Sequence, residues 1–153
     1  MKTTVKCVVA GLLATCVSSV ALAQVKPEDE IRYRQSVMNV IGRNFGMLVA
    51  MAKGERPFDA AAAQRAAVVV ETLSGLPWAA FGPGTDKGAP TKADPKVWTE
   101  TVKFKDGADK MQSEVRKLPA ATKDLAALKA QVGETGKVCK GCHDDYRQKD
   151  FRS

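Results

Sequence analysis

Apolar residues recur along this chain at intervals of three and four positions, and no segment alternates apolar and polar residues for long enough to predict a strand. The spacing predicts one amphipathic helix over residues 28–53 and a second, rich in alanine, over residues 59–74. Pro27 suits the first turn of the first helix and Gly54 its end, whereas Asp59 suits the N-cap of the second. The first half of the chain is therefore predicted to contain a helical pair.

Two more helices are predicted after a loop, residues 76–93, that contains several prolines and glycines. Asp94 suits the N-cap of the third helix, with Pro95 at its first position, and this helix is expected to end near residue 118, before Pro119. The fourth is expected to begin at Thr122. Four amphipathic helices joined mostly by short linkers predict an all-α fold, an antiparallel four-helix bundle.

The N-terminal segment has the pattern of a secretory signal peptide. Lys2 and Lys6 give it a positive start, an apolar run covers residues 7–20, and Ala21-Leu22-Ala23 resembles a cleavage site. The run is short for a membrane span, although an uncleaved anchor is the alternative. We expect residues 1–23 to be removed on export to the periplasm, leaving one domain, residues 24–153, with no membrane span.

Removal of the signal peptide changes the net charge and the number of cysteines. Cys7 and Cys16 leave with the signal peptide, so two of the four cysteines remain and no structural disulfide is expected. The formal charge falls from +7 to +5 because Lys2 and Lys6 also leave. The basic residues are interspersed with acidic ones, a pattern that does not favour a nucleic-acid partner.

The remaining cysteines lie in Cys139-Lys140-Gly141-Cys142-His143, the pattern of a c-type haem attachment site. Two thiols three positions apart share one face of a helical turn and can form thioethers to one haem, and the adjacent imidazole can then bind the iron as the proximal ligand. A zinc site needs about four ligands, and a plain disulfide would leave His143 without a role. The motif therefore predicts one covalent haem c, enclosed by the bundle.

Cations are frequent around this motif, and we expect the exposed haem edge to dock an acidic redox partner by electrostatic steering. The alternative is a solvated helix end, where the helix dipole favours basic residues. The cations are Lys137, Lys140, Arg147, Lys149 and Arg152.

The second axial position of the iron can take a methionine, a weaker ligand or nothing, because the chain has one histidine. Met38 shares a helical stripe with Ile31, Ile41, Gly42, Phe45, Val49 and Ala52. Met47 and Met51 fall on the opposite side of the same helix, and Met111 has polar neighbours. Met38 is thus the best-placed thioether, although a methionine on an apolar face more often only packs.

The mature chain resembles the class II cytochromes c, which comprise cytochromes c′ and low-spin relatives such as cytochrome c-556. The resemblance rests on several short segments spread along the sequence. They are Tyr33-Arg34-Gln35-Ser36, Gly42-Arg43-Asn44-Phe45, Leu76-Pro77-Trp78 to Gly84-Thr85, Val97-Trp98, and a C-terminal Gly136-x-x-Cys-x-x-Cys-His-x-x-x-Arg147.

This resemblance implies roles for several residues. High-spin cytochromes c′ commonly have an apolar residue at the position of Met38, and low-spin relatives have a methionine that binds the iron. Arg34 and Gln35 match positions that contact haem propionates, and Arg147 matches an arginine on the proximal side of the haem. Members of the family also form antiparallel homodimers through the first two helices, and monomers occur as well.

Two functions follow from these observations. The first is a periplasmic electron carrier, not an enzyme, whose iron is held by His143 and Met38, since a thioether favours ferrous iron and both faces are filled. The alternative is a five-coordinate cytochrome c′ that binds NO or CO on an apolar distal face, with Met38 only packing.

Overall fold

Four long α-helices and three short helical turns make up the fold in a computed structural model that describes residues 25–149. The predicted signal peptide therefore lies outside the described residues. In chain order the elements are α1 (Pro27–Lys53), α2 (Ala60–Leu73), a 3₁₀ turn (Trp78–Phe81), α3 (Lys96–Thr99), α4 (Thr101–Val115), α5 (Leu118–Ala121) and α6 (Leu125–Tyr146).

The long helices close into a ring in which each contacts two neighbours. α1 packs against α2 and α6, and α4 packs against α6 and α2. The pairs α1–α2 and α4–α6 are joined by short connections, which favours antiparallel neighbours. Within residues 25–149 no helix is both long and apolar enough to cross a membrane. The structure confirms the predicted all-α four-helix bundle.

Local sequence signals account for the ends of the first two helices. Pro27 occupies the first turn of α1, and Gly54 ends it with φ of 77°, its N–H donating to the carbonyls of Ala50 and Met51. That left-handed conformation suits glycine, which has no Cβ to clash. Asp59 caps α2 by accepting a hydrogen bond from Ala62 N at 2.9 Å. Both predicted boundaries are confirmed within a residue or two.

The third predicted helix is wrong in its extent. Its start is right, because Asp94 Oδ1 accepts from Lys96 N at 3.0 Å. The backbone then breaks at Glu100, with φ of −112° and ψ of 44°, and α4 ends at Val115. The expected single helix over residues 94–118 is therefore three pieces, α3, α4 and the beginning of the α5 turn.

The start of the last helix also differs from the prediction. Thr122 is buried, and its hydroxyl lies within hydrogen-bond distance of Gln64 Oε1 and, at 2.9 Å, of Pro119 O, so it closes the α5 turn. α6 begins three residues later, where Asp124 accepts from Ala127 N at 2.9 Å. The carboxylate of Asp124 therefore sets the start of α6, which was predicted at Thr122.

The hydrophobic core occupies the interior away from the C-terminal end of α6. Leu48, Met51, Leu118 and Leu128 are each at most 1% exposed. Full burial of such side chains stabilises the fold by roughly 1.5–3 kcal/mol each. The predicted faces of α1 need one correction, since Met51, which was placed opposite the apolar stripe, is 1% exposed.

Candidate haem site

A cavity of about 690 Å³ lies between α1, α4, α6 and the loop that includes residues 90–93. Its volume is within the range of about 300–1,000 Å³ that is usual for ligand and cofactor pockets. The structure brings all the sequence-predicted site residues to this one cavity. They are Arg34, Gln35, Met38, Cys139, Cys142, His143 and Arg147.

The two thiols lie on the inner face of α6, where Cys139 and Cys142 are half-buried and are not joined in a disulfide. Burial raises the pKa of both thiols, and the pKa of Cys142 is raised further by the charge of Cys139. Both sulfurs are therefore held as thiols that face a cavity, on one helical turn. This is the arrangement that two thioether links to one macrocycle require.

His143 lies one residue further along α6 and also lines the cavity. Partial withdrawal of its ring from water lowers the pKa of the imidazole, and the charge of Arg147 lowers it further. A lower pKa keeps the ring neutral at physiological pH, and the neutral imidazole is the form that binds a metal.

Arg34 is buried, with 2% of its surface exposed, and its guanidinium is held by the segment around residues 80–91. Nη1 donates to Ala80 O at 2.8 Å and to Thr85 Oγ1 at 3.0 Å, and Nη2 donates to Thr85 O at 2.8 Å and to Thr91 Oγ1 at 3.2 Å. The group also stacks over Phe81, 4.4 Å from the ring centre. Arg34 thus ties α1 to one wall of the cavity, and its contact with a propionate stays a prediction.

Gln35 and Arg147 lie at the open side of the cavity. Gln35 Nε2 donates to Pro90 O at 2.8 Å, and Arg147 forms an isolated antiparallel bridge with Ala93. Asp144, three residues before Arg147, pairs with Lys140. Among the described residues Arg147 lies in no ion pair, and its predicted haem contact remains a prediction.

Two methionines, Met51 and Met111, lie elsewhere than the sequence predicts. Met38 is half-buried and lines the cavity. Met111 is 6% exposed and lines the same cavity, although its polar sequence neighbours made it a poorer candidate ligand than Met38. Phe104, Ala108, Met111 and Val115 share one face of α4 at helical spacing, a signal that could have placed Met111 inside. Met51 is buried in the core, away from the cavity lining.

An aromatic cluster closes one side of the cavity. The ring centres of Phe81 and Phe104 are 5.0 Å apart, those of Trp78 and Phe104 5.8 Å, and those of Phe104 and Tyr146 5.2 Å. Tyr146 donates its hydroxyl to Glu100 Oε2 at 3.1 Å, and burial together with this bond raises the pKa of Tyr146 to about 12. Trp78 and Phe81 also contact each other, with ring centres 6.3 Å apart, so both pack within this cluster.

The cavity has two ends of different character, which we name the deep wall and the mouth. The deep wall consists of the apolar residues Ile41, Phe45, Val70, Met111 and Val115. The mouth consists of the exposed residues Gln35, Lys92, His143 and Arg147.

A haem fits this arrangement. The apolar deep wall suits the macrocycle, two thiols face inward, and the charged residues of the lining within residues 25–149 are all cationic. Such cations complement the two carboxylates that a haem carries.

The fold and the site define a class of protein, a four-helix bundle with a c-type haem motif on its last helix. The family model described as Cytochrome C' matches residues 29–147. The chain therefore belongs to the cytochrome c′ family, and it is a class II c-type cytochrome. Membership of this family implies covalently bound haem c.

Three relatives illustrate the similarity. Cytochrome c′ of Rubrivivax gelatinosus is 53% identical over 81% of this chain and 98% of its own length, and its crystal structure matches with a TM-score of 0.78 over 80% of this chain and 98% of the other. Cytochrome c-556 of Rhodopseudomonas palustris is 34% identical over 94% of this chain and 96% of its own.

The third relative is the cytochrome c′ of Alcaligenes xylosoxidans, which is 44% identical over 81% of this chain and 97% of its own length. A variant of it has been solved as a nitric oxide complex, which matches with a TM-score of 0.75 at 42% identity over 82% of this chain and 98% of that chain. Another variant has been solved with carbon monoxide bound, at a TM-score of 0.74 with the same identity and coverage.

Proposed function

We propose that this protein holds one haem c through thioethers from Cys139 and Cys142, with His143 as the proximal ligand, and binds NO or CO at a five-coordinate iron. This function takes precedence over the electron carrier that the sequence alone favours. The observation that carries the proposal is the apolar deep wall, together with the NO-bound and CO-bound structures of variants of a 42% identical relative.

The deep wall determines which molecules can enter beside the haem. Ile41 and Val70 are at most 7% exposed, and Phe45 packs against the same core cluster. An apolar wall leaves water and anions without hydrogen-bond partners, so it favours small neutral molecules over charged ones. The haem, when bound, supplies an iron that accepts an electron and can coordinate such a molecule.

Met38 acts as a packing residue in this proposal. It is half-buried and packs against the hydrophobic core cluster, and a methionine fills irregular apolar space readily. The 53% and 44% identical relatives are both cytochromes c′, whereas the cytochrome c-556 relative is 34% identical. These identities favour the high-spin branch.

Electron transfer with His143 and Met38 as axial ligands is the second candidate. One observation favours it, since the thioether of Met38 lines the same cavity as His143. In both candidates we propose a protein that binds or carries without being an enzyme.

Export, dimer formation and docking complete the proposal. Residues 1–23 direct the protein to the periplasm and are removed there. Exposed apolar residues on and beside the first two helices, Tyr33, Val40, Val68 and Leu76, suit the homodimer that the family resemblance implies. The mouth carries Lys92 and Arg147, which suits an acidic redox partner.

Optical spectra with and without carbon monoxide test the iron coordination. We expect a high-spin ferric spectrum and ready CO uptake by the reduced protein, and we expect Met38→Leu to change neither. Met47→Leu is the matched control, because Met47 lies on the same helix and does not line the cavity. Low-spin spectra that Met38→Leu alone converts to high-spin would favour the second candidate and reject the first.

A further inference from the structure

Tyr146 is a buried phenol in the wall of the haem cavity that the proposed function does not use. It is 6% exposed, lines the cavity and is the last residue of α6, three positions after His143. A buried tyrosine usually has a hydrogen-bond partner for its hydroxyl. The chemical nature of that partner determines which reactions the phenol can undergo.

The partner of Tyr146 is a carboxylate. The hydroxyl donates to Glu100 Oε2 at 3.1 Å, so the phenolic proton is already directed at a base. The chain has one other tyrosine, Tyr33, which is 45% exposed and lies outside the cavity lining. Tyr33 makes no hydrogen bond to a carboxylate of residues 25–149. Tyr146 therefore differs from Tyr33 both in its place at the cavity and in its partner.

Backbone hydrogen bonds hold Tyr146 and Glu100 in a fixed arrangement. Glu100 N donates to Lys96 O at 2.8 Å, Glu100 O accepts from Phe104 N at 2.9 Å, and Tyr146 O accepts from Asp94 N at 2.9 Å. Phe104 also meets the ring of Tyr146 edge to face, with ring centres 5.2 Å apart. Proton transfer requires a donor and an acceptor within hydrogen-bond distance, and this arrangement maintains that distance.

Glu100 is able to take up a proton without leaving a cation unpaired. Lys103 Nζ lies 3.5 Å from Glu100 Oε2 and 3.8 Å from Asp145 Oδ2, so it keeps a partner when Glu100 becomes neutral. The side chain of Lys103 is 67% exposed, and solvent screens its charge. Its opposition to protonation of Glu100 is therefore weak.

Trp78 is a second oxidisable side chain in the cavity lining, but its surroundings differ. Its Nε1–H donates to Ser74 O at 2.6 Å. A peptide carbonyl is a much weaker base than the carboxylate of a glutamate, so it does not accept this proton. Loss of an electron is thus coupled to proton transfer at Tyr146 and not at Trp78, which favours oxidation of the tyrosine.

We propose that Tyr146 and Glu100 form a redox site, in which Tyr146 loses one electron when hydrogen peroxide reacts at the haem and Glu100 accepts the phenolic proton. Reduction of one hydrogen peroxide to two water molecules takes two electrons, together with two protons from the solvent. One electron comes from Tyr146 and the other from the haem iron. The product on the protein is a neutral phenoxyl radical at Tyr146, hydrogen-bonded to protonated Glu100.

The inference rests on the proposed function, because hydrogen peroxide needs the open iron position that NO and CO need. Peroxide is also a small neutral molecule, the kind that an apolar wall admits in preference to charged ones. The redox site adds a role for Tyr146, since it draws an oxidising equivalent away from the haem.

The test compares Tyr146→Phe, Glu100→Gln and the control Tyr33→Phe with the parent protein. Each ferric holoprotein is mixed with an equimolar amount of hydrogen peroxide, frozen within seconds and examined by electron paramagnetic resonance. A parent sample with ring-deuterated tyrosine identifies any tyrosine radical. Glu100→Gln keeps an oxygen that can accept from the hydroxyl but cannot take up its proton, so this variant separates the redox role from a purely structural one.

We expect a phenoxyl signal in the parent and in Tyr33→Phe, and we expect ring deuteration to narrow it. Tyr146→Phe should lose the signal, and Glu100→Gln should lose most of it. The haem absorbance should bleach faster in both of these variants than in the parent, because the oxidising equivalent stays at the haem. A hydrogen bond with only a structural role would alter stability and leave the radical in Glu100→Gln unchanged.

No tyrosine radical in the parent, an undiminished signal in Tyr146→Phe, or an undiminished signal in Glu100→Gln would each overturn the inference. If the iron is high-spin and takes up CO, such a result rejects the redox site alone. A low-spin iron without CO uptake, measured before peroxide is added, would reject the proposed function and this inference with it.

Discussion

The deep wall and the mouth of the haem cavity differ in burial, in charge and in how they are held. At the deep wall Val70 and Val115 are each 1% exposed and are held by packing in the hydrophobic core. At the mouth Gln35, Lys92 and Arg147 are exposed. Hydrogen bonds from Gln35 to Pro90 O and from Gln148 N to Lys92 O fix the backbone of the loop there. The deep wall thus disfavours polar ligands, whereas the cations of the mouth favour anionic groups.

The two regions consequently contribute to different properties of the protein. Removing an apolar group from the deep wall leaves a cavity and costs stability, whereas neutralising a cation at the mouth changes the electrostatic potential at the haem edge. Substitutions at the haem tethers, at the deep wall and in the loop that lines the cavity test this difference.

Removing both tethers has the largest effect, because it eliminates the cofactor that the two regions share. The double variant Cys139→Ala, Cys142→Ala is expected to contain no covalently bound haem. Mass spectrometry of the exported protein measures this as the complete loss of the added mass. Lys140→Ala, between the two cysteines, is the control and should keep the haem. An added tetrapyrrole in the double variant would show that the attachment site lies elsewhere.

Truncation at the deep wall should reduce stability strongly. Met111→Ala removes a side chain that is 6% exposed, and such changes typically cost about 2–5 kcal/mol of unfolding free energy. Met111→Leu keeps most of the volume and should cost less than about 1.5 kcal/mol. Denaturant unfolding of the two variants measures the difference. Equal stability losses would mean that Met111 does not fill apolar space at the deep wall.

Removal of Arg34 should loosen the wall that it ties to α1. Arg34→Leu leaves the buried carbonyls of Ala80 and Thr85 without these donors, and an unsatisfied buried acceptor costs about 1–3 kcal/mol. We expect faster amide hydrogen exchange in residues 80–91 and lower stability. Arg43→Leu, at an exposed site on the same helix, should show neither effect. Unchanged exchange in residues 80–91 would contradict the anchoring role.

The smallest expected effect concerns Tyr146, which joins the aromatic cluster to Glu100. The folded protein holds the pKa of Tyr146 at about 12, whereas the unfolded chain releases this proton near pH 10. Stability should therefore fall as the pH rises from about 10 to 12, and Tyr146→Phe should reduce that fall. Denaturant unfolding at pH 8 and pH 11 measures it. The same pH dependence in both proteins would show that Tyr146 keeps its ordinary pKa when folded.

Much of the fold followed from local signals in the sequence. Pro27, Gly54 and Asp59 fix the ends of α1 and α2, and each acts through its own backbone or capping group. The break at Glu100 could not be predicted in this way, because no proline or glycine marks it. The start of the last helix was predicted at Thr122, because no local signal shows that Thr122 contacts Gln64 on another helix.

The residues of the candidate site could be predicted where the chemistry requires a fixed spacing in sequence. They could be predicted less well where tertiary contacts determine the position of a side chain. Cys139, Cys142 and His143 follow from their spacing alone. Met111 was missed because its polar neighbours in sequence lie on another face of α4. The role of Arg34 in holding residues 80–91 depends on contacts about fifty positions apart, which no local pattern reveals.

Electron paramagnetic resonance of the ferric holoprotein at neutral pH distinguishes a five-coordinate iron from one that Met38 also binds, because the spin state of the iron reports its axial ligands. Five-coordinate iron held by His143 predicts a high-spin signal that Met38→Leu leaves unchanged. A low-spin signal in the parent protein, converted to high-spin by Met38→Leu and not by Met47→Leu, would contradict the account.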